Sequence, residues 1–281
     1  MQQTHGAQRA SIRSVTFRTI TARIGALLAL ALLVGLVAVP AATAATPRPK
    51  VVIVVGPVGG STAEYIAGAR RLASQARSYG ATVVEIYSPN ATWARVRSAA
   101  TNANLLIYLG HGNGTPSAYT NRPQSTNGLG LNAMAGRGNS NTKYYGSTYV
   151  TREIRLAPNA VVILNRLCYA SGTNEWGAGN PTFAVAKTRV DSYGRSFFKT
   201  GAKAVFAEGI TSPAYVLRGL FKSDKTIEQI FWSSPNATRT YRKTFDSRKT
   251  PGMEAVLDPY APSRYYRSVI GDLDLTASDW R

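Results

Sequence analysis

The residues best suited to chemistry in this sequence are one histidine and one cysteine, each placed after an apolar run. His111 follows the run N-L-L-I-Y-L-G at 104–110, and Cys168 lies a few residues beyond the run A-V-V-I-L at Ala160–Leu164. After residue 45 the sequence contains no other histidine or cysteine. A thiol beside an imidazole provides a nucleophile with a proton carrier, and the thiolate is the reactive form. The pair therefore predicts nucleophilic catalysis where two strand ends meet.

The pattern around these residues predicts the fold that brings them together. Short apolar runs bounded by turn residues are typical of strands buried on both faces, and here they alternate with segments of helical periodicity. This alternation predicts an α/β, doubly wound three-layer sandwich with a mostly parallel sheet of about six strands. Open α/β sheets bind ligands beyond the carboxyl ends of their strands. We therefore expect His111 and Cys168 on adjacent strands at one sheet edge.

The predicted elements divide into regular segments and two irregular ones. Residues 113–148 form an insertion rich in Gly, Asn, Ser and Thr, which we expect to be irregular and to lie over His111. Residues 235–262 also lack a clear pattern. Strands are predicted at 50–55, 81–87, 104–110, 160–164, 202–207 and 265–270, and helices at 62–79, 91–100, 150–156, 182–200, 213–221 and 226–232.

Residues 1–45 have the pattern of a secretory signal peptide. They carry four arginines and no acidic residue, the apolar run Ile24–Val39, and the small residues Ala42-Thr43-Ala44 at the cleavage position. An uncleaved N-terminal anchor is the alternative. No Arg-Arg pair precedes the apolar run, so we expect the general secretory route. The sequence thus predicts a secreted or cell-surface protein with one domain at 46–281.

The chain is strongly basic. Its net charge is +19, and removal of the four arginines before residue 46 would leave +15. Such a charge favours attraction to polyanions, for example anionic cell-wall polymers or acidic membrane surfaces. The basic residues are scattered, so no specific nucleic-acid motif is indicated. A solvated basic surface without a ligand is the alternative, and the sequence does not indicate an oligomeric state.

The order of apolar strand, His-Gly, long insertion, apolar strand and Cys resembles the signature of the caspase-like cysteine peptidases of clan CD. Within that superfamily the similarity is to domains of the CHAT, gingipain and clostripain types. The residues Phe198, Gly201 and Ala202 before a later strand are also similar to the CHAT pattern. The resemblance covers roughly residues 50–209.

This resemblance implies a catalytic dyad of His111 and Cys168, with the backbone N–H groups of Gly112 and Cys168 holding the oxyanion. The implied activity is hydrolysis of peptide bonds in a peptide or protein substrate through a thioester. Two alternatives stay open. Free cysteines are often inert core residues, and the chain could be a catalytically inactive caspase-like basic module that binds anionic cell-envelope polymers.

Two acidic residues near strand ends are candidates for substrate binding. A basic substrate side chain needs a carboxylate partner when it is buried, and Glu175 and Glu208 both lie on segments that leave the carboxyl side of the predicted sheet. Ion pairs with nearby basic residues are the alternative role for both. Zinc requires three or four protein ligands, so one histidine and one cysteine predict no metal site, and no cofactor is expected.

Overall fold

One large sheet flanked by helices forms the centre of the structure. The computed structural model describes residues 48–281, so the predicted signal peptide at 1–45 lies outside the described residues. In chain order the strands are β1 (Lys50–Val55), β2 (Thr82–Tyr87), β3 (Leu105–Leu109), β4 (Leu129–Asn132), β5 (Thr142–Tyr145), β6 (Ala160–Asn165), β7 (Ala202–Glu208), β8 (Lys243–Asp246), β9 (Glu254–Leu257) and β10 (Arg267–Gly271). The α-helices are α1 (Thr62–Ser78), α2 (Trp93–Ala100), α3 (Ser147–Glu153), α4 (Phe183–Phe198), α5 (Ala214–Lys222), α6 (Ile227–Trp232) and α7 (Ala277–Trp280).

Eight of these strands pair in the order β2-β1-β3-β6-β7-β10-β9-β8. The first five are parallel to one another, whereas β10, β9 and β8 continue the sheet in antiparallel fashion. The mostly parallel α/β sandwich predicted from the sequence is therefore confirmed. The predicted strand number was too low, because β8 and β9 lie in the segment judged irregular.

Helices cover both faces of the sheet, and alternate side chains of each strand point to opposite layers. Val52 and Val54 of β1 share a core with α2, α3 and α4, whereas Val51 and Ile53 share a second core with α1, α5, α6 and α7. Parallel strands buried on both faces read as continuous apolar runs, which is why the sequence shows these strands clearly. Each fully buried aliphatic side chain contributes about 1.5–3 kcal/mol by leaving water.

The insertion at 113–148 is more ordered than the sequence suggested. Strands β4 and β5 pair as an antiparallel hairpin, and Leu129 and Leu131 of that hairpin are fully buried. The hairpin therefore packs into the same core as α2, α3 and α4. The expectation of a wholly irregular insertion was wrong, because two apolar positions separated by a glycine suffice to anchor a short strand in a core.

A buried ion network joins the parallel and antiparallel parts of the sheet. Arg267 opens β10, and its Nε lies 3.2 Å from Oε1 of Glu208 at the end of β7. The Arg267 guanidinium also pairs with Asp258, just after β9, at 2.5 Å, and donates to the Phe231 carbonyl of α6 at 2.9 Å. All three charged side chains are at most 4% exposed. This network holds β7, β9, β10 and α6 together.

The described residues lie within one compact unit. Between residues 48 and 281, no helix combines the length and apolar character needed to cross a membrane.

Candidate active site

His111 is held in a turn that begins where β3 ends. Gly110 is required there, because a Cβ on it would lie 2.3 Å from the Tyr108 hydroxyl oxygen. That hydroxyl accepts from the Gly130 N–H at 3.0 Å and donates to the Gly130 carbonyl at 2.6 Å. It also lies 3.0 Å from the His111 carbonyl oxygen. Tyr108 therefore links strand β3, the β4–β5 hairpin and the histidine turn.

Cys168 lies in a tight turn three residues beyond the end of β6. Arg166 and Tyr169, on either side of it, have positive φ angles of 59° and 70°, a region that residues with side chains seldom adopt. The strand end is anchored because the Asn165 side chain donates to the Glu208 carbonyl at 2.8 Å. The Cys168 side chain is half-buried. Unusual backbone of this kind is concentrated at functional sites.

The histidine and cysteine turns are in contact. Strands β3 and β6 are adjacent and parallel, with Leu109 opposite Asn165, so the chain leaves both strands at the same edge. A Cβ on Gly112 would lie 2.3 Å from the Cys168 carbonyl oxygen, and only glycine allows that approach. The expected placement of His111 and Cys168, on adjacent strands at one sheet edge, is observed.

Glu175 connects the two loops that border this site. Its carboxylate accepts from the Tyr119 hydroxyl at 2.6 Å and from the Tyr169 hydroxyl at 2.9 Å. Tyr119 belongs to the insertion, whereas Tyr169 directly follows Cys168. No sequence pattern indicates the Tyr119 contact, because it joins residues 56 positions apart in two loops without periodicity.

A cleft of about 620 Å³ opens beside the thiol. Glu175 is the acidic residue in its wall, and Arg166 and Arg264 are the basic ones; Arg166 pairs with Glu64. His111 is exposed and is not part of this wall. The cleft is lined by Tyr65, Arg166, Leu167, Cys168, Thr173, Asn174, Glu175, Trp176, Gly177, Ala178, Gly179, Asn180, Gly209, Ile210, Arg264 and Tyr266.

Loss of contact with water favours the neutral forms of both candidate catalytic groups, the half-buried Cys168 and the partly desolvated His111. Burial raises the pKa of the Cys168 thiol, and the Glu175 charge raises it further. A hydrogen bond from the Trp176 backbone N–H lowers the same pKa but does not offset the rise. Although His111 is exposed by surface area, nearby protein atoms exclude part of the water around its ring. This partial desolvation lowers the pKa of His111, while the Glu175 charge acts in the opposite direction. Both groups therefore respond to Glu175, which places the carboxylate within electrostatic reach of each.

Among the described residues, five tyrosines lie within electrostatic reach of Cys168. Burial raises the pKa of Tyr144 to about 12, and the charges of Cys168 and Glu175 add to the rise. Burial likewise raises the pKa of Tyr65, Tyr169 and Tyr193, and the hydrogen bond to Glu175 raises the pKa of Tyr119; Cys168 adds a smaller contribution to each. These hydroxyls stay protonated at neutral pH, so the site is rich in hydrogen-bond donors. Among these tyrosines, only Tyr169 could have been suspected from the sequence, because it adjoins Cys168.

Glu208, the second acidic candidate, does not line the cleft. Its side chain is fully buried and pairs with Arg267, and it also accepts from the hydroxyls of Tyr215 and Thr211. The role observed is the alternative named from the sequence, an ion pair. Among residues 48–281, no three His, Cys, Asp or Glu side chains are grouped as metal ligands.

Comparisons with known proteins find little that is similar to this chain. No model of a protein family matches it, and no curated protein matches it. Among solved structures, it is similar to gingipain R, an Arg-specific cysteine proteinase, with a TM-score of 0.37 and 14% sequence identity. The alignment covers 82% of this chain and 62% of the gingipain chain. This is a weak resemblance at the level of the fold.

Proposed function

We propose that this chain is a cysteine peptidase in which Cys168 and His111 form the catalytic dyad. The observation that carries the proposal is the contact between the two strand-end turns, where Gly112 packs on the Cys168 carbonyl. It brings together the turns that carry the sole histidine and the sole cysteine found after residue 45, and the cysteine turn borders an open cleft. A thiol and an imidazole at one strand edge are the nucleophile and proton carrier that acyl transfer requires.

In the proposed reaction, Cys168 Sγ attacks the carbonyl carbon of a peptide bond while the thiol proton passes to His111. The backbone N–H groups of Gly112 and Cys168 stabilise the oxyanion, each contributing about 3 kcal/mol. His111 then gives its proton to the leaving amine, and a thioester remains on Cys168. Water, deprotonated by His111, hydrolyses the thioester and restores the thiol. Glu175 accepts a basic side chain of the substrate, since it is the carboxylate in the cleft wall.

Substitution of the dyad tests this proposal. Cys168→Ala should abolish hydrolysis and covalent labelling by a peptide alkylating agent. Because the Cys168 side chain is half-buried and small, the free energy of unfolding of the protein should change by no more than about 1 kcal/mol. His111→Gln should keep the thiol but reduce kcat by about 10²–10⁴-fold, the usual contribution of a general acid–base. Absence of both labelling and hydrolysis in the wild type, across basic, acidic and Asn-containing peptides, would contradict the proposal.

We further propose that the protein is exported and cleaved near Ala44 or Ala45. The support is the sequence pattern of residues 1–45 alone. The expected result is an extracellular protein whose mass corresponds to an N-terminus at residue 45 or 46. An extracellular form that retains Met1 would contradict cleavage and would favour an N-terminal anchor.

A further inference from the structure

A second cavity, on the face of the sheet covered by α2, α3 and α4, has the composition of an anion site. Its volume is about 380 Å³, and it lies between the insertion, α3, α4 and the connection from β8 to β9. Pro123 is the single apolar residue in its lining, which otherwise consists of hydroxyl, amide and cationic side chains. The cations are Arg195, Lys199 and Lys249, and no acidic residue lines the cavity.

The three cations lack carboxylate partners. Within residues 48–281, none of the three forms an ion pair. The neighbouring acid, Asp191, instead accepts from the Ser247 hydroxyl and, at 3.2 Å, from the Arg248 backbone N–H. The three cations, whose side chains are exposed, are therefore free to pair with an anion from solution.

The cavity wall is organised by one face of α4 and its C-terminal end. Ser192, Arg195, Ser196 and Lys199 follow the spacing i, i+3, i+4, i+7, which places them on one side of a helix. Lys249 arrives from the β8–β9 connection and donates from Nζ to the Ser192 hydroxyl at 2.7 Å. Cations near a helix C-terminus also offset its partial negative charge. That effect does not account for Lys249, which belongs to another element.

We propose that this cavity binds the phosphate group of a phosphorylated sugar or polyol. Three unpaired cations match a doubly charged oxyanion, and the surrounding hydroxyl and amide groups suit the hydroxyls of a polyol. At about 30 Å³ for each water-sized atom, the cavity has room for on the order of ten non-hydrogen atoms. Doubly charged phosphomonoesters of this kind occur in soluble metabolites, whereas anionic envelope polymers and lipid headgroups such as phosphatidylglycerol carry phosphodiesters with one negative charge each. The experiment separates the soluble monoester from the lipid diester.

Binding of glycerol 3-phosphate to the full chain, measured by calorimetry at constant ionic strength, tests the proposal. The wild type should bind glycerol 3-phosphate and inorganic phosphate but not glycerol. Arg195→Gln combined with Lys199→Gln should weaken binding by at least tenfold, since each cation supplies a charge-assisted hydrogen bond. Lys249→Gln, from a separate element, should weaken it in the same direction.

The matched control removes two positive charges from the opposite face of the sheet. Arg218→Gln combined with Lys225→Gln, both exposed residues, should leave the affinity within about twofold, because screening at physiological salt limits distant charges. Equal weakening by both double variants, or no binding by the wild type, would overturn the proposal. If the wild type binds phosphatidylglycerol vesicles more tightly than glycerol 3-phosphate, and the Arg195→Gln, Lys199→Gln double variant loses this binding, the phosphate site would be supported and assigned to a lipid. Cys168→Ala should not alter binding, so this test is independent of the proposed peptidase.

Discussion

At the scale of single residues, Glu175 is the group that sets the charge balance around Cys168 and His111. Burial raises the pKa of the Cys168 thiol and partial desolvation lowers the pKa of the His111 imidazole, whereas the Glu175 carboxylate raises both. The combination favours a neutral thiol beside a neutral imidazole at neutral pH. Proton transfer from Cys168 to His111 would then accompany attack on the substrate, rather than precede it as a stable ion pair.

Glu175→Gln should make the thiol more reactive at neutral pH. Removing the negative charge lowers the Cys168 pKa, so the thiolate fraction at a given pH increases and the alkylation curve moves to lower pH. The rate of iodoacetamide labelling from pH 6 to 10 measures this shift. Glu254→Gln, an exposed acid on β9, is the matched control and should leave the curve in place.

Glu175→Gln should also reduce kcat/KM for substrates with Arg or Lys before the scissile bond by about tenfold or more, because a charge-assisted hydrogen bond is lost. Substrates with a neutral residue there should be less affected. A labelling curve that does not move would show that Glu175 does not act on the thiol. An unchanged preference among substrates would show that it does not bind the basic side chain.

At the scale of secondary structure, the β4–β5 hairpin supports the histidine turn through one hydroxyl. Tyr108 is fully buried in β3, and its hydroxyl satisfies both the N–H and the carbonyl of Gly130. Residues 113–148 have no periodicity that would predict this hairpin. Its position is fixed by packing and by a hydrogen bond between residues 22 positions apart.

Tyr108→Phe should lower the free energy of unfolding by about 1–3 kcal/mol, because two buried backbone groups of Gly130 lose their partner. It should also reduce kcat of the proposed reaction, since the same hydroxyl lies against the His111 carbonyl. Urea unfolding and steady-state kinetics provide the measurements. Tyr79→Phe is the control, because Tyr79 is only partly buried and receives one bond from Gln75. Equal losses in both variants would contradict the role given to Tyr108.

The strands that the sequence revealed are longer than those it concealed. The predicted strands contain five to seven residues, whereas β4, β5, β8 and β9 contain four each. In β3 every residue from Leu105 to Leu109 is buried and aliphatic or aromatic, so the run is easy to recognise. In β8 only Phe245 is buried, and its neighbours are exposed, so the strand has no signature beyond one aromatic residue. The candidate active site shows a similar contrast between residues that the sequence predicts and residues that it does not. His111 and Cys168 were predictable because strand ends position them, whereas the Tyr119–Glu175 contact depends on loop geometry.

At the scale of the whole molecule, the Arg267 network adds buried ion pairs to the backbone pairing of β10 with β7, which joins the two parts of the sheet. Arg267→Met should destabilise the protein by about 3–5 kcal/mol, because the carboxylates of Glu208 and Asp258 would remain buried without their partner. Denaturant unfolding measures the loss. Arg242→Met, which breaks an exposed pair with Glu228, should cost no more than about 1 kcal/mol. A small loss at Arg267 would mean that other contacts hold β10 to β7.

The contact made by Trp280 bears on when the molecule finishes folding. Trp280 is 2% exposed within the core beneath α1, α5 and α6, and its indole N–H donates to the Asn104 carbonyl, 176 positions earlier in the chain. Contacts between such distant residues form slowly, because a long loop must close first. During synthesis, this contact cannot form until Trp280 has been made. In the exported protein that we propose, late formation of this contact would leave the chain unfolded enough to be translocated, and the core around Trp280 would be completed only afterwards.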